Sequence, residues 1–362
     1  MNTKVCLITG ATGFIGQNIV AELISQKYKI IAISKPDEQY CPTIINENNI
    51  KINTMPNINK DIVKDYDMQL VFGDVSDKRF IEKLFKDIEK QNIEIEFVLH
   101  LAACATIQQA IQKEQEAWKT NFNGTENILK SSLQYQKKFP NKFKGFFYAS
   151  TDKVYGEGSH QTYQETDKLK PLPYPYDQSK AKADELVRKI AKENNFPAVI
   201  YRFCNVYGPG DYHKSRIIPG TLYRLIYTKE NPILRMYYNP QGNKKSFYRD
   251  MIYIKDLTKA ISLLLEFLRK DNTKLIGEVF NLGTDNTYPM NEIINKISCY
   301  SKINREIKEE LVEKGEIKNQ CMNFSKLNKL LGFNPQYSLD KGIKETVDWY
   351  ISHKGDINDS FK

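Results

Sequence analysis

The sequence predicts an α/β fold: a doubly wound parallel sheet with a smaller, mixed α/β lobe toward the C-terminus. Three observations predict it. Short, nearly continuous apolar runs alternate with helical patterns through the first 203 residues. Such runs read as strands buried on both faces, and their alternation with helices implies parallel strands joined by crossovers. A glycine-spaced turn joins the first run to the first helix. Beyond Phe203 the rhythm loosens, and proline and glycine punctuate residues 208–220 and 232–242.

Taken in order, Val5 to Thr9 is the first strand, Phe14 to Gln26 has helical periodicity, and Tyr28 to Ser34 is a β-branched second strand. The stretch Lys35 to Asp67 is rich in Asn, Pro and charge and reads as an extended loop, long for a compact domain. Met68 to Phe72 is the third strand. Ser76 to Gln91 reads as an amphipathic helix with Phe80, Leu84, Phe85 and Ile88 on one face. Phe97 to Leu101 is the fourth strand, residues 107–136 are mostly helical, and Lys144 to Ser150 is the fifth strand. Tyr176 to Asn194 is a helix and Ala198 to Phe203 a sixth strand.

A chain of 362 residues exceeds one compact domain. The expected division is a dinucleotide-binding domain over 1–203 with contributions from about 250–285. A substrate lobe takes 204–249 and 286–350, and a tail follows at 351–362. The 41% hydrophobic and 27% charged residues are ordinary for a globular chain. No apolar run reaches the roughly 18 residues a membrane span needs, and the strand-like start has no signal-peptide layout, so the expectation is a cytoplasmic protein. The net charge of +9 comes from scattered lysines. It reads as a solvated surface, or a mildly basic cleft for an anionic small molecule, rather than a nucleic-acid patch. The six cysteines (Cys6, Cys41, Cys104, Cys204, Cys299 and Cys321) include no Cys-x-x-Cys pair. They read as free thiols of a reducing compartment. The histidines His100, His160, His213 and His353 do not join them at ligand spacing, so no metal site is expected.

The turn after the first strand reads Gly10-Ala11-Thr12-Gly13-Phe14-Ile15-Gly16. In such a loop the first glycine allows the tight turn, the second lets the backbone approach a pyrophosphate, and the third lets helix and strand pack closely. The free N–H groups of the helix start then receive the anion. Placement directly after a strand and before a helix makes the motif a dinucleotide signature and the domain Rossmann-type. An acid for the ribose is expected at the end of the second strand. Ser34-Lys35 stands there instead, with no carboxylate until Asp37. That pair suits the 2′-phosphate of NADP, which is slightly favoured, with NAD as the alternative. Asp74 and Val75 follow the third strand, where they reach toward an adenine, or Asp74 caps the next helix.

Tyr176 and Lys180 stand at i and i+4, on one face of a helix. An adjacent ammonium favours the phenolate, moving a tyrosine from about 10 toward neutrality. A phenolate so poised is a good base for a sugar hydroxyl.

With these motifs the sequence resembles the extended short-chain dehydrogenase/reductase superfamily, in its NAD-dependent epimerase/dehydratase family, from about Lys4 to about Tyr350. Matching segments are His100-Leu101-Ala102-Ala103, Asn121 with Gly124-Thr125, Ser150 to Gly156, Arg202 to Pro209, and Arg249-Asp250-Met251-Ile252-Tyr253. The resemblance implies that Thr151, twenty-five positions before Tyr176, hydrogen-bonds the reacting oxygen and that Lys180 also holds the nicotinamide ribose. It places Leu101, Ala102, Ala103 and Phe203 beside the cofactor. Asn205, Arg216 and Ile217 become parts of the nucleotide-sugar site, and Arg249 a diphosphate contact. His100 and Asn121 are expected to be mainly structural.

Asp152-Lys153 after Thr151 resembles the 4,6-dehydratases, closest to the CDP-glucose 4,6-dehydratase branch, as do Tyr163-x-Glu165 and Gly208 to Tyr212. The implied reaction is redox-neutral. Tyr176 takes the proton of the sugar O4 as C4 is oxidised, a base removes the acidified C5 proton, Asp152 protonates the departing C6 hydroxyl, and hydride returns to C6. Lys153 is the base or tunes its neighbours electrostatically. The alternatives are a nucleotide-sugar epimerase or 4-dehydrogenase, and a non-enzymatic dinucleotide sensor on the same fold. By analogy with relatives a homodimer is expected.

Overall fold

The computed structural model describes residues 4–35, 48, 50–54, 65–158, 162–312 and 316–354. Asp37, Cys41, His160, most of the 35–67 stretch and the end of the 351–362 tail lie outside the described residues. The chain divides into two compact units. The first comprises Met1–Val154, Pro173–Arg202 and Thr258–Phe280, the second Tyr155–Leu172, Phe203–Leu257 and Asn281–Lys362.

The first unit is built on an eight-stranded sheet in the order β13-β7-β6-β5-β1-β2-β4-β3. These strands are β1 (Lys4–Thr9), β2 (Tyr28–Ser34), β3 (Ile52–Asn53), β4 (Met68–Phe72), β5 (Ile95–His100), β6 (Gly145–Thr151), β7 (Ala198–Phe203) and β13 (Glu278–Leu282). Pairing is parallel from β3 through to β6. Successive residues of β1 from Val5 to Thr9, and of β7 throughout, are buried without a break. Because neighbouring side chains point to opposite faces, both faces of the sheet are covered. This is the doubly wound Rossmann-type α/β fold. The strand order reverses at β1, which has β2 on one side and β5 on the other. A crevice for a ligand opens at such a switch point, outside the carboxyl ends of the strands.

Several elements differ from the sequence reading, each for a local reason. The helix expected from Ser76 begins at Lys78, because the Asp77 carboxylate accepts the N–H groups of Arg79 and Phe80. Asp74 is therefore not its cap. Ile81, not Phe80, joins Leu84, Phe85 and Ile88 on the buried face. Phe80 lies over Gly73, where any Cβ would meet its ring. Within the expected 35–67 loop, Ile52–Asn53 adds a parallel edge strand to β4. The helical stretch from Ile107 is broken into Ile107–Gln112, Glu114–Trp118, a π-helical turn at Lys119–Gly124, and Thr125–Lys138.

Helix Pro175–Asn194 is fixed to the sheet by polar groups. Arg202 on β7 is fully buried and donates from Nε and Nη2 to the two oxygens of Asp184, at 3.0 and 2.8 Å. Ser150 at the end of β6 donates to Asp184 Oδ2 at 2.7 Å. Removing one partner of such a buried pair typically costs about 3–5 kcal/mol, which makes the helix position rigid. Its N-terminus is thereby held beside the carboxyl end of β6.

The second unit carries three small sheets. β9 (Ile233–Tyr238) lies between β10 (Lys244–Ser246) and β15 (Lys308–Leu311). β11 (Tyr248–Arg249) lies between β14 (Tyr288–Pro289) and β16 (Asn319–Gln320), and β12 (Met251–Tyr253) pairs with β8 (Asn205–Tyr207). Asp250 ties this unit together. Its buried carboxylate accepts Thr284 N and Oγ1 and Met322 N, the last two at 2.7 and 3.0 Å. Burial nonetheless raises its pKa to about 7. The last helix, Leu339–Ser352, runs into the expected tail.

Candidate active site

The glycine turn after β1 is shaped by close backbone approach. Gly10 sits at φ +68°, and a Cβ there would lie 2.8 Å from Ala102 N. A Cβ on Gly16 would lie 2.1 Å from Gly10 O and 2.8 Å from Ala11 C. Gly13 is the N-cap of helix Phe14–Ser25, and no side chain caps that helix. Its first N–H groups, from Phe14 and Ile15 onward, therefore face a backbone cradle suited to an anion. That cradle fits a dinucleotide diphosphate. Gly16→Ala is expected to displace the loop and abolish dinucleotide binding, read by fluorescence titration of the reduced nicotinamide. An unchanged dissociation constant would remove the loop from the site.

The end of β2 is already engaged. Ser34 Oγ lies 2.6 Å from Thr12 Oγ1, locking the strand end to the glycine turn. Lys35 Nζ pairs with Asp74 Oδ2 at 3.1 Å. Lys35 and the Ser76 N–H together hold the Asp74 carboxyl below its usual value, against the effect of its partial burial. Val75 is buried and packs against Gly124, where a Cβ would lie 2.6 Å from Val75 Cγ2.

The segment after β5 is held by a buried chain of hydrogen bonds. Thr125 Oγ1 donates to Asn121 O at 2.7 Å, so His100 Nε2–H donates to Thr125 Oγ1 at 2.9 Å. His100 Nδ1 then accepts from Thr9 Oγ1 at 2.7 Å. Thr9 Oγ1 in turn accepts the N–H groups of Leu101 and Ala102 at 3.2 and 3.1 Å. Burial, helped by the Lys180 charge, lowers the His100 pKa to about 3, so the ring is neutral. His100 thus shapes the Leu101-Ala102-Ala103 wall as a structural group. Asn121, in the π-helical turn, accepts Cys104 N at 2.8 Å and donates to Ser179 Oγ at 3.0 Å.

Thr151 ends β6, and Asp152–Tyr155 form a 3-10 turn after it. Thr151 Oγ1 donates to Asp152 Oδ1 at 3.1 Å and accepts Lys153 N–H at 3.3 Å. Asp152 is 3% exposed, and its Oδ2 has no hydrogen-bond partner among the described residues. Helix Pro175–Asn194, which packs against β6, has Pro at its first position. Tyr176 is partly exposed there. Lys180 is buried, donates to Ala149 O at 2.5 Å, and lies 4.3 Å from the centre of the Tyr148 ring. Burial lowers its pKa to about 7 although Asp184 opposes the shift. The ammonium is therefore poised near neutrality, and a nearby anion would restore its charge.

In the second unit Asn205 Nδ2 donates to Asp250 O at 3.2 Å. Arg216 stands just before helix Ile217–Leu222, where Ile217 is partly exposed, and donates from Nη1 to both Asp211 oxygens at 3.0 Å. Arg249 is 5% exposed and donates to Glu316 Oε1 at 2.7 Å. Arg235 pairs with the same Glu316 at 3.2 Å. Tyr163 and Glu165 serve the fold of this unit. Tyr163 stacks on Tyr155 with ring centres 4.8 Å apart, and Glu165 Oε1 accepts Asn281 N at 2.9 Å. Phe203 is buried at the end of β7.

Sequence reasoning missed Asp177. It is fully buried, and neither carboxylate oxygen has a hydrogen-bond partner among the described residues. Burial pushes its pKa up to about 7. Lys153 opposes the rise and Asp152 adds to it. Its only sequence signal was a carboxylate in the first turn of a helix, which reads as a surface residue favoured by the helix dipole. Glu316, the acid between two arginines, had no signal. Among the described residues, Cys6, Cys204 and Cys321 are buried free thiols, Cys104 is half-buried and Cys299 exposed. No described helix is long and apolar enough to cross a membrane.

Residues 7–346 match the family described as GDP-mannose 4,6 dehydratase. A dTDP-D-glucose 4,6-dehydratase of Dictyostelium discoideum is 32% identical over 293 residues, which are 77% of this chain and 58% of that protein. The match thus spans little more than half of that relative's length. The human dTDP-D-glucose 4,6-dehydratase is 28% identical over 355 residues, covering 96% of this chain and 90% of its own. Among solved structures, a dTDP-glucose 4,6-dehydratase from Bacillus anthracis in complex with NAD superposes with a TM-score of 0.75 at 24% identity, covering 97% of this chain and 98% of that one. A UDP-glucose 4-epimerase from Thermotoga maritima superposes at 0.77 with 23% identity, covering 97% and 99%. At these identities the superpositions establish the fold, which dehydratases and epimerases share.

Proposed function

Since the chain belongs to the GDP-mannose 4,6-dehydratase family, we propose that it is a nucleotide-sugar 4,6-dehydratase, converting an NDP-hexose to the 4-keto-6-deoxy product. The observation that supports this reading beyond family membership is the Thr151-Asp152-Lys153 turn that closes β6, the strand whose Ala149 O receives Lys180 Nζ. An epimerase has no use for a buried acid following the threonine. A dehydratase needs one to discharge the C6 hydroxyl.

When bound, a nicotinamide dinucleotide supplies the acceptor for hydride from C4 and the donor of hydride to C6. Gly10, Thr12, Gly13, Phe14, Ile15 and Gly16 would hold its diphosphate, and Leu101, Ala102, Ala103, Phe203 and Lys180 its nicotinamide half. Ser34, Lys35, Asp74 and Val75 would line its adenosine half. NAD fits these residues better than NADP. The Ser34 hydroxyl is already bonded to Thr12 and the Lys35 charge is paired with Asp74, so neither stands open to a 2′-phosphate.

Tyr176 takes the O4 proton as C4 becomes a ketone, with Thr151 holding the same oxygen. The ketone acidifies C5–H. Asp152 protonates the C6 oxygen as the C6–O bond breaks and water leaves. Lys153 is the base for C5 or sets the charge around it. Asn205, Arg216, Ile217 and Arg249 of the second unit are the proposed contacts to the nucleotide-sugar. The acids Asp211 and Glu316 orient the two guanidiniums, whose planar forks suit phosphate oxygens.

The test is a screen of CDP-, GDP-, UDP- and dTDP-hexoses with product masses recorded. The expected product is lighter than substrate by one water. An isobaric product would make the chain an epimerase, and stoichiometric consumption of cofactor a dehydrogenase.

A further inference from the structure

Lys180 is 4% exposed, so its ammonium brings three N–H donors into the protein interior. Among the described residues its one hydrogen-bond acceptor is Ala149 O, at 2.5 Å. Asp184, one turn further along the same helix, is taken up by Ser150 and Arg202. What remains against the ammonium is a ring. Lys180 Nζ lies 4.3 Å from the centre of Tyr148, inside the roughly 6 Å over which an aromatic face attracts a cation.

The ring is itself held. Tyr148 stands on β6, is fully buried, and pairs in register with His100 on β5. The His100 ring stacks on it, with centres 5.9 Å apart and planes at 21°. His100 is in turn fixed at its two nitrogens by Thr9 and Thr125. Burial keeps that imidazole neutral, so among the described residues Lys180 is the cation at the Tyr148 ring.

We propose that the Tyr148 ring is the seat of the Lys180 ammonium, and that Tyr148 is thereby a positioning residue for the Tyr176/Lys180 pair. The seat stands on these contacts; its use in C4 oxidation rests on the dehydratase reading above. A buried cation loses its hydration, and the negative face of a ring restores part of that stabilisation where water is excluded. The charge so kept is the one that favours the Tyr176 phenolate one turn earlier on the helix. The π face does this work and the Tyr148 hydroxyl does not, so phenylalanine serves equally and an aliphatic side chain fails.

The groups around Lys180 set the direction of its pH dependence. Tyr148 on β6 and His100 on β5 flank it, and Tyr176, Asp177 and Asp184 share its helix. Arg202 on β7 is committed to Asp184, and Asp152 and Lys153 follow β6. The helical segments packed against its helix carry Glu114, Glu116, Lys119, Glu126, Lys130, Lys137 and Lys138, all exposed or partly so. Burial lowers the Lys180 pKa to about 7, with Asp184 opposing the shift. The ammonium is therefore present below that value and lost as pH rises through it. Removing the ring removes a stabiliser of the charged form, so the loss moves to lower pH.

The experiment titrates the full-length protein, labelled with carbon-13 at the lysine ε-carbons, by NMR, with Lys180→Arg identifying the Lys180 signal. In Tyr148→Leu the Lys180 midpoint is expected to fall by about one unit, and in Tyr148→Phe to stay within a few tenths. A midpoint unmoved in Tyr148→Leu, or one that falls as far in Tyr148→Phe, would overturn the seat. If Tyr148→Leu does not fold, pentafluorophenylalanine at position 148 decides. It keeps the ring outline and inverts the quadrupole, so the midpoint is expected to fall, and an unmoved one overturns the seat. In kinetics, the basic limb of C4 oxidation in Tyr148→Leu is expected to move down with the midpoint. The rate is then about tenfold lower at pH 8 and within about twofold of wild type at pH 5.5, and Tyr148→Phe restores the profile. Equal slowing at every pH would overturn the positioning role, because a cavity alone acts that way. If the midpoints move as expected and the wild type oxidises no nucleotide sugar at C4, the seat stands and the dehydratase reading is what fails.

Discussion

Tyr176→Phe is expected to lower turnover by about 10²–10⁴-fold, the usual worth of a positioned general base, while dinucleotide binding is retained. The reason is local. The substitution keeps an aromatic ring at the start of helix Pro175–Asn194 and removes only the oxygen proposed to take the O4 proton. The helix itself is held from below by Asp184, Arg202 and Ser150, none of which the change touches. Lys180 likewise keeps its bond to Ala149 O. Rate measurements with a turned-over nucleotide sugar, set beside a dinucleotide titration, separate the two effects. A normal rate would remove Tyr176 as the base.

Asp152→Asn is expected to slow water loss by a similar factor, about 10²–10⁴-fold, while C4 oxidation is slowed far less. Asparagine keeps the shape of the side chain and can still accept the Thr151 hydroxyl that now reaches Asp152 Oδ1. It cannot deliver an acidic proton to the leaving oxygen. Reduced cofactor should therefore accumulate in a single turnover, because oxidation at C4 outruns elimination and the return of hydride. Stopped-flow absorbance of the reduced nicotinamide reads this directly. Equal slowing of both steps would show that Asp152 organises the site without acting as the elimination acid.

What the sequence made legible follows from which interactions are local. The Gly10 to Gly16 turn, the fully buried strands and the Tyr176/Lys180 spacing each depend on residues a few positions apart, and each stands where the pattern placed it. The three small sheets of the second unit were not legible. Their strands are two to six residues long, and β11 pairs with β14 and β16 some forty and seventy positions away. No short-range periodicity encodes such pairing. The start of helix Lys78–Lys90 slipped by two residues because Asp74 and Asp77 are equally good caps on paper, and only the Asp77 carboxylate reaches Arg79 N and Phe80 N.

The site divides in the same way. Tyr176 and Lys180 were identified by type and spacing, whereas Thr151, Asp152 and Lys153 came from the family resemblance; these three stand at and just after the end of β6, the strand whose Ala149 O receives Lys180. Asp177 was hidden because adjacent helical residues face different directions, and a first-turn carboxylate ordinarily faces solvent. Only the packing of the helix face that also carries Lys180 and Asp184 shows it to be buried. Lys35 was legible as a cation at the end of β2, but its pairing with Asp74, thirty-nine positions on, was not. That pairing is what turns the cofactor reading from NADP toward NAD.

The most direct measurement of the central claim uses a nucleotide hexose deuterated at C4, turned over to completion, with the product read by mass and by NMR. The account predicts a product lighter by one water that carries the deuterium on C6. A product of unchanged mass, or a dehydrated product with no deuterium at C6, would contradict it.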